Sequence, residues 1–232
     1  MDPHRGYSIE KVHTGVLVHA LRRGGAASHA LAVAMWNLAT DEAITPAEVA
    51  AVEAAPECQL GTGRHSVIDL LVVITLRAGG RLRLGIEVKV DASPDWAQAH
   101  RLGSALRSIA AREPGRAAMV LLTLGVAQVC RWEGASEQSP SSVRRWGLDD
   151  LLRLREFIRA ASDLDAVVEP WLRELDDEQL RRHHAREVAA QDAEVLGYRV
   201  GRSSPTNCTS SPATSKRHAT GPGPSPSRAT TS

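Results

Sequence analysis

The stretch "VIDLLVVITLRAGGRLRLGIEVKV", residues 67–90, decides the fold. Two aliphatic, β-branched runs, residues 67–76 and 82–90, flank a short link that contains two glycines. This pattern predicts a β-hairpin. The second run nevertheless carries Glu87 and Lys89 among apolar neighbours. Burying charged groups is costly unless a partner compensates them, so the hairpin is also the first candidate for a functional site.

The hairpin register determines which charged side chains meet. Side chains on a strand alternate between faces, so Glu87 and Lys89 share one face. A turn centred on Gly79 would place Asp69 opposite Lys89 and Leu71 opposite Glu87. Asp69 and Glu87 would then be diagonal neighbours, about 5–8 Å apart. The hairpin therefore predicts two carboxylates and one ammonium that converge from two strands, whereas a one-residue slip would move Asp69 to the opposite face.

The flanking sequence predicts helices on both sides of the hairpin and one further strand. A pair of helices is predicted over residues 9–39, single helices over 45–55, 91–113 and 144–163, and a strand over 117–125. The helix at 45–55 would open on a capping box formed by Thr45 and Glu48. This order predicts an α/β fold with a mixed sheet flanked by helices.

Three segments are expected along the chain. Residues 1–165 form the predicted domain, and residues 166–200 form a polar helical C-terminal extension. Residues 201–232 are rich in Ser, Thr and Pro and lack apolar periodicity. Such a segment cannot bury enough apolar surface to offset the entropy of ordering, so the tail is predicted to be disordered.

The composition limits the class of protein. The net charge is +1, but four basic and no acidic residues lie from Gly201 onward, which leaves −3 for the first 200 residues. A globally basic nucleic-acid footprint is therefore absent, and any DNA contact must come from a local patch or from the tail. The widely spaced Cys58, Cys130 and Cys208 predict reduced thiols in a cytoplasmic protein. No membrane-spanning run or signal-peptide pattern is present in the sequence, so no membrane partner is expected.

The predicted charge cluster suits the hydrolysis of phosphodiester bonds. Two carboxylates can hold a Mg²⁺ ion, which polarises a phosphoryl oxygen and lowers the pKa of its bound water. A neighbouring lysine can orient or deprotonate that water, or neutralise the developing charge. The alternative is a buried ion cluster whose role is to define the strand register.

The residues "IDLLV" and "GIEVKVDASPDWAQ" resemble the PD-(D/E)XK nuclease superfamily, which has an Asp on one strand and Glu-x-Lys on the next. The resemblance covers about residues 9–160 and is strongest over 64–102. It implies a restriction-endonuclease-like fold and a Mg²⁺ or Mn²⁺ cofactor, with Asp69 and Glu87 as metal ligands and Lys89 at the water. Gln98 matches the superfamily's Gln on the following helix, although the Tyr that often follows it is absent. Ile68 stands where many members have Pro.

A further acid often completes the metal site of this superfamily. Glu10, on the first helix, and Glu57, on a short strand, are alternative candidates for that role, and His13 lies one helical turn after Glu10. The resemblance implies a bacterial enzyme that hydrolyses DNA in restriction, defence or repair. A homodimer would supply the two sites needed to cut both strands. The alternative function is a non-catalytic module of the same fold that binds nucleic acid or protein.

Overall fold

The computed structural model describes residues 5–61, 66–90, 96–124, 143–162 and 166–200. Within these ranges the elements are α1 (Arg5–Arg22), α2 (Gly25–Thr40), a 3-10 turn (Pro46–Glu48), β1 (Val49–Gln59), β2 (Val67–Leu76), β3 (Arg81–Lys89), α3 (Trp96–Ala110), β4 (Gly115–Thr123), β5 (Arg144–Trp146), α4 (Leu148–Arg153), α5 (Arg155–Ser162) and α6 (Val168–Val200). The chain divides into two compact units, Met1–Val188 and Ala189–Ser232.

The strands of the described residues form one mixed sheet in the order β1-β2-β3-β4-β5. The pairs β1–β2 and β2–β3 are antiparallel, whereas β3–β4 and β4–β5 are parallel. The parallel step from β3 to β4 runs through α3, because parallel neighbours need a crossover connection. The α/β fold with a mixed sheet flanked by helices, expected from the sequence, is confirmed.

Helices cover both faces of the sheet. On one face, α1, α2, α4, α5 and the start of α6 pack on alternate strand residues such as Val72 and Leu84. On the other face, Leu102 and Leu106 of α3 pack on Met119 of β4. Seven consecutive residues of β3, numbers 82–88, are consequently buried, and Glu87 among them is removed from bulk water.

The predicted helix over residues 45–55 is wrong. The capping box does form, with the backbone N and the Oγ1 of Thr45 donating to Glu48 Oε2 at 2.7 and 2.8 Å. The turn ends at Glu48, and the chain continues as β1, which pairs with β2 over most of its length. The hydrogen bonds between β1 and β2 outweigh the local helical signal, since helix propensity contributes little free energy compared with tertiary contacts. Pro56 is tolerated because β1 lies at the edge of the sheet.

The single helix predicted over residues 144–163 is also wrong. Its first residues form β5, which pairs with β4, and Trp146 is only 1% exposed in the core. Gly147 then separates β5 from two short helices, α4 and α5. The predicted strand over 117–125 is confirmed as β4, and the helix predicted over 91–113 is present as α3.

Several predictions lie outside the described residues. These are the helix start near Ser93, the disordered tail from Gly201, and the state of Cys130 and Cys208. Cys58, within β1, is a free thiol. In the ranges given above, no helix combines the length and the apolar character that crossing a membrane requires.

Candidate active site

The hairpin forms, but its register differs from the prediction by two residues. The observed pairing of β2 with β3, continued to the site, places Asp69 opposite Glu87 rather than opposite Lys89. The turn closes over residues 77–80, where both glycines adopt left-handed backbone angles, and is therefore centred one residue earlier than predicted. A shift of two residues keeps every side chain on its own face. Asp69, Glu87 and Lys89 consequently still converge.

Asp69 lies where β2 parts from β3. Pairing between the strands ends at Leu70, and Asp69 Oδ2 instead accepts a hydrogen bond from Val88 N at 2.7 Å. Ile68 packs on the α3 face of the sheet whereas Leu70 packs on the opposite face, so the alternation of β2 breaks at Asp69. A Cβ on Gly85 would collide with the Ile68 side chain. Because Gly85 has no Cβ, the Ile68 side chain can cross β3 by packing against the backbone of Gly85 on the α3 face of the sheet.

Glu87 is the buried centre of the cluster, at 3% exposure. Its Oε1 accepts hydrogen bonds from Lys89 Nζ at 2.7 Å and from Gln98 Nε2 at 2.9 Å. Its Oε2 is buried and has no hydrogen-bond partner. Buried polar atoms are nearly always paired, so an unpartnered carboxylate oxygen indicates a position at which a ligand can bind. The predicted convergence of Gln98 on the site is present.

The electrostatics of the cluster favour an added cation. Burial, followed by the nearby Asp69 charge, raises the pKa of Glu87 to about 7. Burial also raises the pKa of Asp69, although the Val88 hydrogen bond and the Lys89 charge oppose it. Burial lowers the pKa of Lys89, but the bond to Glu87 and the surrounding carboxylates raise it overall. The carboxyl groups of Asp69 and Glu87 lie close enough to hydrogen-bond when one is protonated. When both are ionised, Glu87 Oε2 has no partner and the two groups compete for one compensating charge.

Glu10 reaches the cluster from α1. Its Oε1 accepts a hydrogen bond from Val90 N at 3.1 Å, just past the end of β3. Burial raises the pKa of Glu10, and the charges of Lys89 and Asp69 both act on it. The first helix therefore contributes an acid beside the hairpin residues.

Glu57 lies at the rim of the cluster. The register of β1 with β2 places it opposite Asp69, and its charge raises the pKa of Asp69. Its backbone is left-handed, with φ of 49°, which is unusual for a non-glycine residue within a strand. Lys11 Nζ pairs with Glu57 Oε1 at 2.9 Å, and both side chains are 62% exposed. Glu10 and Glu57 thus both approach the site, one half-buried and the other exposed.

His13 lines a cavity next to the cluster rather than the cluster itself. The cavity has a volume of about 500 Å³, and its wall includes Val90 and Trp171. His13 Nδ1 accepts a hydrogen bond from Trp171 Nε1 at 2.9 Å, and burial lowers the pKa of His13 to about 4. A neutral imidazole held by a tryptophan has a structural role that joins α1 to α6.

The donor set can be tested against a divalent cation. Asp69 and Glu87 offer carboxylate oxygens, the ligands that Mg²⁺ and Mn²⁺ prefer, and the unpartnered Glu87 Oε2 is one of them. In the part of the chain that the structure describes, no group of three or more His, Cys, Asp or Glu side chains is arranged to hold a metal ion. Asp69 and Glu87 would therefore supply two carboxylates to such an ion, and water and substrate oxygens would complete its shell.

Two features of the site were missed by reasoning from sequence. Gly85 belongs to the quoted motif, but its role is to leave room for the Ile68 side chain. The alternation of polar and apolar residues along the strands does not predict this contact. The pairing of Lys11 with Glu57 beside the site was also not predicted. The scarcity of lysine could have drawn attention to it, since lysine occurs only at Lys11, Lys89 and Lys216 in a chain with 28 basic residues.

In comparisons with known proteins, this chain matched no family model, no curated protein and no solved structure.

Proposed function

We propose that this protein is a Mg²⁺-dependent nuclease of the PD-(D/E)XK type, with a restriction-endonuclease-like fold, that hydrolyses DNA phosphodiester bonds. The observation that carries the proposal is the convergence of Asp69, Glu87 and Lys89 from two adjoining strands, with one buried oxygen of Glu87 left without a partner. An acid from α1 and a glutamine from α3 support the same centre.

Each residue of the cluster has a distinct role in this proposal. Asp69 and Glu87 would hold the Mg²⁺ or Mn²⁺ ion, and Glu10 would hold a water of its shell through the oxygen that does not bond Val90. The metal, when bound, supplies polarisation of the scissile phosphate and activation of water. Lys89 presents its ammonium at the same face, where it can orient the water or neutralise the charge that develops on phosphate. Gln98 positions Glu87 through its hydrogen bond to Oε1.

A non-catalytic module of the same fold is the second candidate. It is favoured by the lack, among the described residues, of a ready-made group of three metal-ligating side chains. The net charge of −3 over the first 200 residues also suits a protein-binding module better than a DNA-binding one. In that case Lys89 and Glu87 would form a buried ion pair that maintains the strand register.

The decisive experiment incubates the purified protein with linear, circular and single-stranded DNA in Mg²⁺, in Mn²⁺ and in chelator. Lys89→Met and Glu87→Gln variants, checked for folding by thermal unfolding, run in parallel. The proposal expects metal-dependent cleavage that falls at least about 100-fold in folded variants, since positioned charged groups contribute on that scale. Cleavage by folded Lys89→Met at the wild-type rate would contradict it. No cleavage by the wild type, with Lys89→Met merely less stable, would favour the non-catalytic module.

A further inference from the structure

Lysine use in this chain points to a second charged position at the site. Arginine fills 25 of the 28 basic positions, and the first 200 residues contain only Lys11 and Lys89. Both ammonium groups pair with carboxylates of the same region, Lys89 with Glu87 and Lys11 with Glu57. A compact ammonium and a planar guanidinium are not interchangeable at a shaped site. Both lysines of the first 200 residues thus pair with carboxylates at or beside the cluster.

The two lysines differ in exposure. The Lys89 side chain is 18% exposed and is held by the buried Glu87, whereas Lys11 is 62% exposed. Lys11 follows Glu10 in α1, and its partner Glu57 lies opposite Asp69 in the sheet. Lys11 thus lies at the exposed rim beside Glu57, whereas Glu87 lies buried within the cluster.

The ion pair between Lys11 and Glu57 can be exchanged at little cost. An ion pair between two largely exposed side chains contributes little to stability, because water and salt screen it. A phosphate oxygen offers Lys11 an equally charged acceptor. The backbone of Glu57, which carries the carboxylate that pairs with Lys11, is left-handed. A non-glycine residue adopts this conformation only where the surrounding structure imposes it.

The charge balance explains why such a cation is needed. Four carboxylates lie around the site: those of Glu10, Glu57, Asp69 and Glu87. Among the described residues, Lys89 is the cation besides Lys11 that interacts with them. A polyanionic substrate that approaches this rim meets an excess of carboxylates. A cation that turns from Glu57 to the substrate adds an attractive contact with a phosphate at this acidic rim.

We propose that Lys11 is a substrate-binding residue that contacts a backbone phosphate of the nucleic acid at the rim of the site, and that Glu57 holds its ammonium there until the substrate replaces it. This inference rests on the proposed nuclease function and assigns to it a phosphate subsite beside the scissile position.

The test compares Lys11→Met, Lys11→Arg and Glu57→Gln with a matched control, Arg81→Met. Arg81 is also an exposed cation paired with a glutamate, Glu113, at 3.4 Å. It begins β3, eight residues before Lys89, and so lies roughly 26 Å from the site along the strand. Measurements are kcat and KM for DNA cleavage with Mg²⁺, and the salt dependence of DNA binding in chelator.

Lys11→Met is expected to raise KM about tenfold with kcat within about twofold, and to reduce the slope of log affinity against log salt by about 1. Lys11→Arg should restore the slope and part of KM, because it keeps the charge. Glu57→Gln should lower KM, because the ammonium no longer has a competing carboxylate. Arg81→Met should behave as the wild type.

The outcomes separate this inference from the function on which it rests. If the wild type cleaves DNA and Lys11→Met matches Arg81→Met in KM and salt slope, the phosphate subsite is wrong and the nuclease stands. If the wild type does not cleave but binds DNA with a salt slope that Lys11→Met reduces, the subsite stands and the nuclease is wrong. If the wild type neither cleaves nor binds DNA, both are overturned.

Discussion

At the scale of single residues, Glu87 determines the properties of the site. A carboxylate at 3% exposure with one unpartnered oxygen is tolerated because Lys89 and Gln98 bond its other oxygen. Burying a charge with incomplete compensation destabilises the folded state. The site is therefore expected to lower the stability of the metal-free protein while it prepares a position for a cation.

The first prediction concerns the pH dependence of stability in chelator. The pKa of Glu87 is about 7 in the folded protein, against 4.5 ordinarily. Between these values the folded state binds more protons than the unfolded state, so the free energy of unfolding should fall as pH rises. The pKa values of Asp69 and Glu10 are raised in the same direction. Urea unfolding from pH 4.5 to 8 should show a loss on the order of 2 kcal/mol.

Glu87→Gln should flatten this pH dependence, because an amide does not ionise. The matched control is Glu48→Gln, in which an exposed glutamate has its pKa lowered by hydrogen bonds to Thr45. Because the folded state lowers the pKa of Glu48, its titration affects stability only at the acid end of the range, so this variant should keep the wild-type slope above about pH 6. Equal slopes in wild type and Glu87→Gln would show that Glu87 does not titrate in this range.

At the scale of elements, β3 and its neighbours were easier to predict than β1. β2 and β3 are long aliphatic runs separated by glycines, so local pattern and tertiary pairing agree. Residues 45–55 carry a strong local helix signal, and their strand conformation arises from pairing with β2. Those pairing partners, residues 71–76, belong to the next strand, and the local pattern of residues 45–55 gives no sign of them.

The second prediction concerns the crossing of Ile68 beneath β3. In Gly85→Ala the new Cβ would collide with Ile68 and lie 3.0 Å from Leu106 Cδ2. Overpacking of this kind should destabilise the protein by about 1–3 kcal/mol and also disturb Asp69. The matched control, Gly15→Ala, lies in α1 where a Cβ meets nothing within 4 Å. It should stabilise by about 0.5–1 kcal/mol, since alanine favours helix. Thermal unfolding of both variants makes the comparison, and an unchanged Gly85→Ala would refute the packing argument.

At the scale of the whole molecule, the core continues past the predicted end of the domain. Val168, Trp171, Leu172 and Leu175 of α6 are buried in the main cluster with α1 and α2. Trp171 also bonds His13 of α1. The first part of the helical extension therefore belongs energetically to the same compact unit, Met1–Val188, as the sheet.

The third prediction follows from this continuity. A chain that ends at residue 165 loses four buried core side chains, each of which contributes roughly 1.5–3 kcal/mol if fully buried. Their sum is comparable to the whole stability of a typical domain, so this chain should not unfold cooperatively. A chain that ends at residue 200 should unfold as the full-length protein does. Circular dichroism melts of the two truncations decide the matter, and a cooperative melt of the shorter chain would contradict the prediction.

The fourth prediction measures metal binding without relying on cleavage. A ligand that binds only the folded state at ten times its Kd stabilises it by about 1.4 kcal/mol. Saturating Mg²⁺ should therefore raise the Tm of the wild type by roughly 3–6 °C. Asp69→Asn and Glu87→Gln should lose most of this increase, whereas Glu48→Gln should retain it. An equal Mg²⁺ effect in all four proteins would place the ion elsewhere.

The sequence by itself determined that two aliphatic strands form a hairpin, that Glu87 and Lys89 share one of its faces, and that Asp69 joins them. The shared face of Glu87 and Lys89 follows from the two-residue period of strands, and the nearness of Asp69 follows from the hairpin, which an even shift of register preserves. Only the tertiary structure decided that residues 49–59 form an edge strand, that Gly85 admits Ile68, and that α1 brings Glu10 to the cluster and Lys11 to Glu57 at its rim. Each of these depends on contacts between residues distant in the chain, whose free energies do not appear in any local pattern.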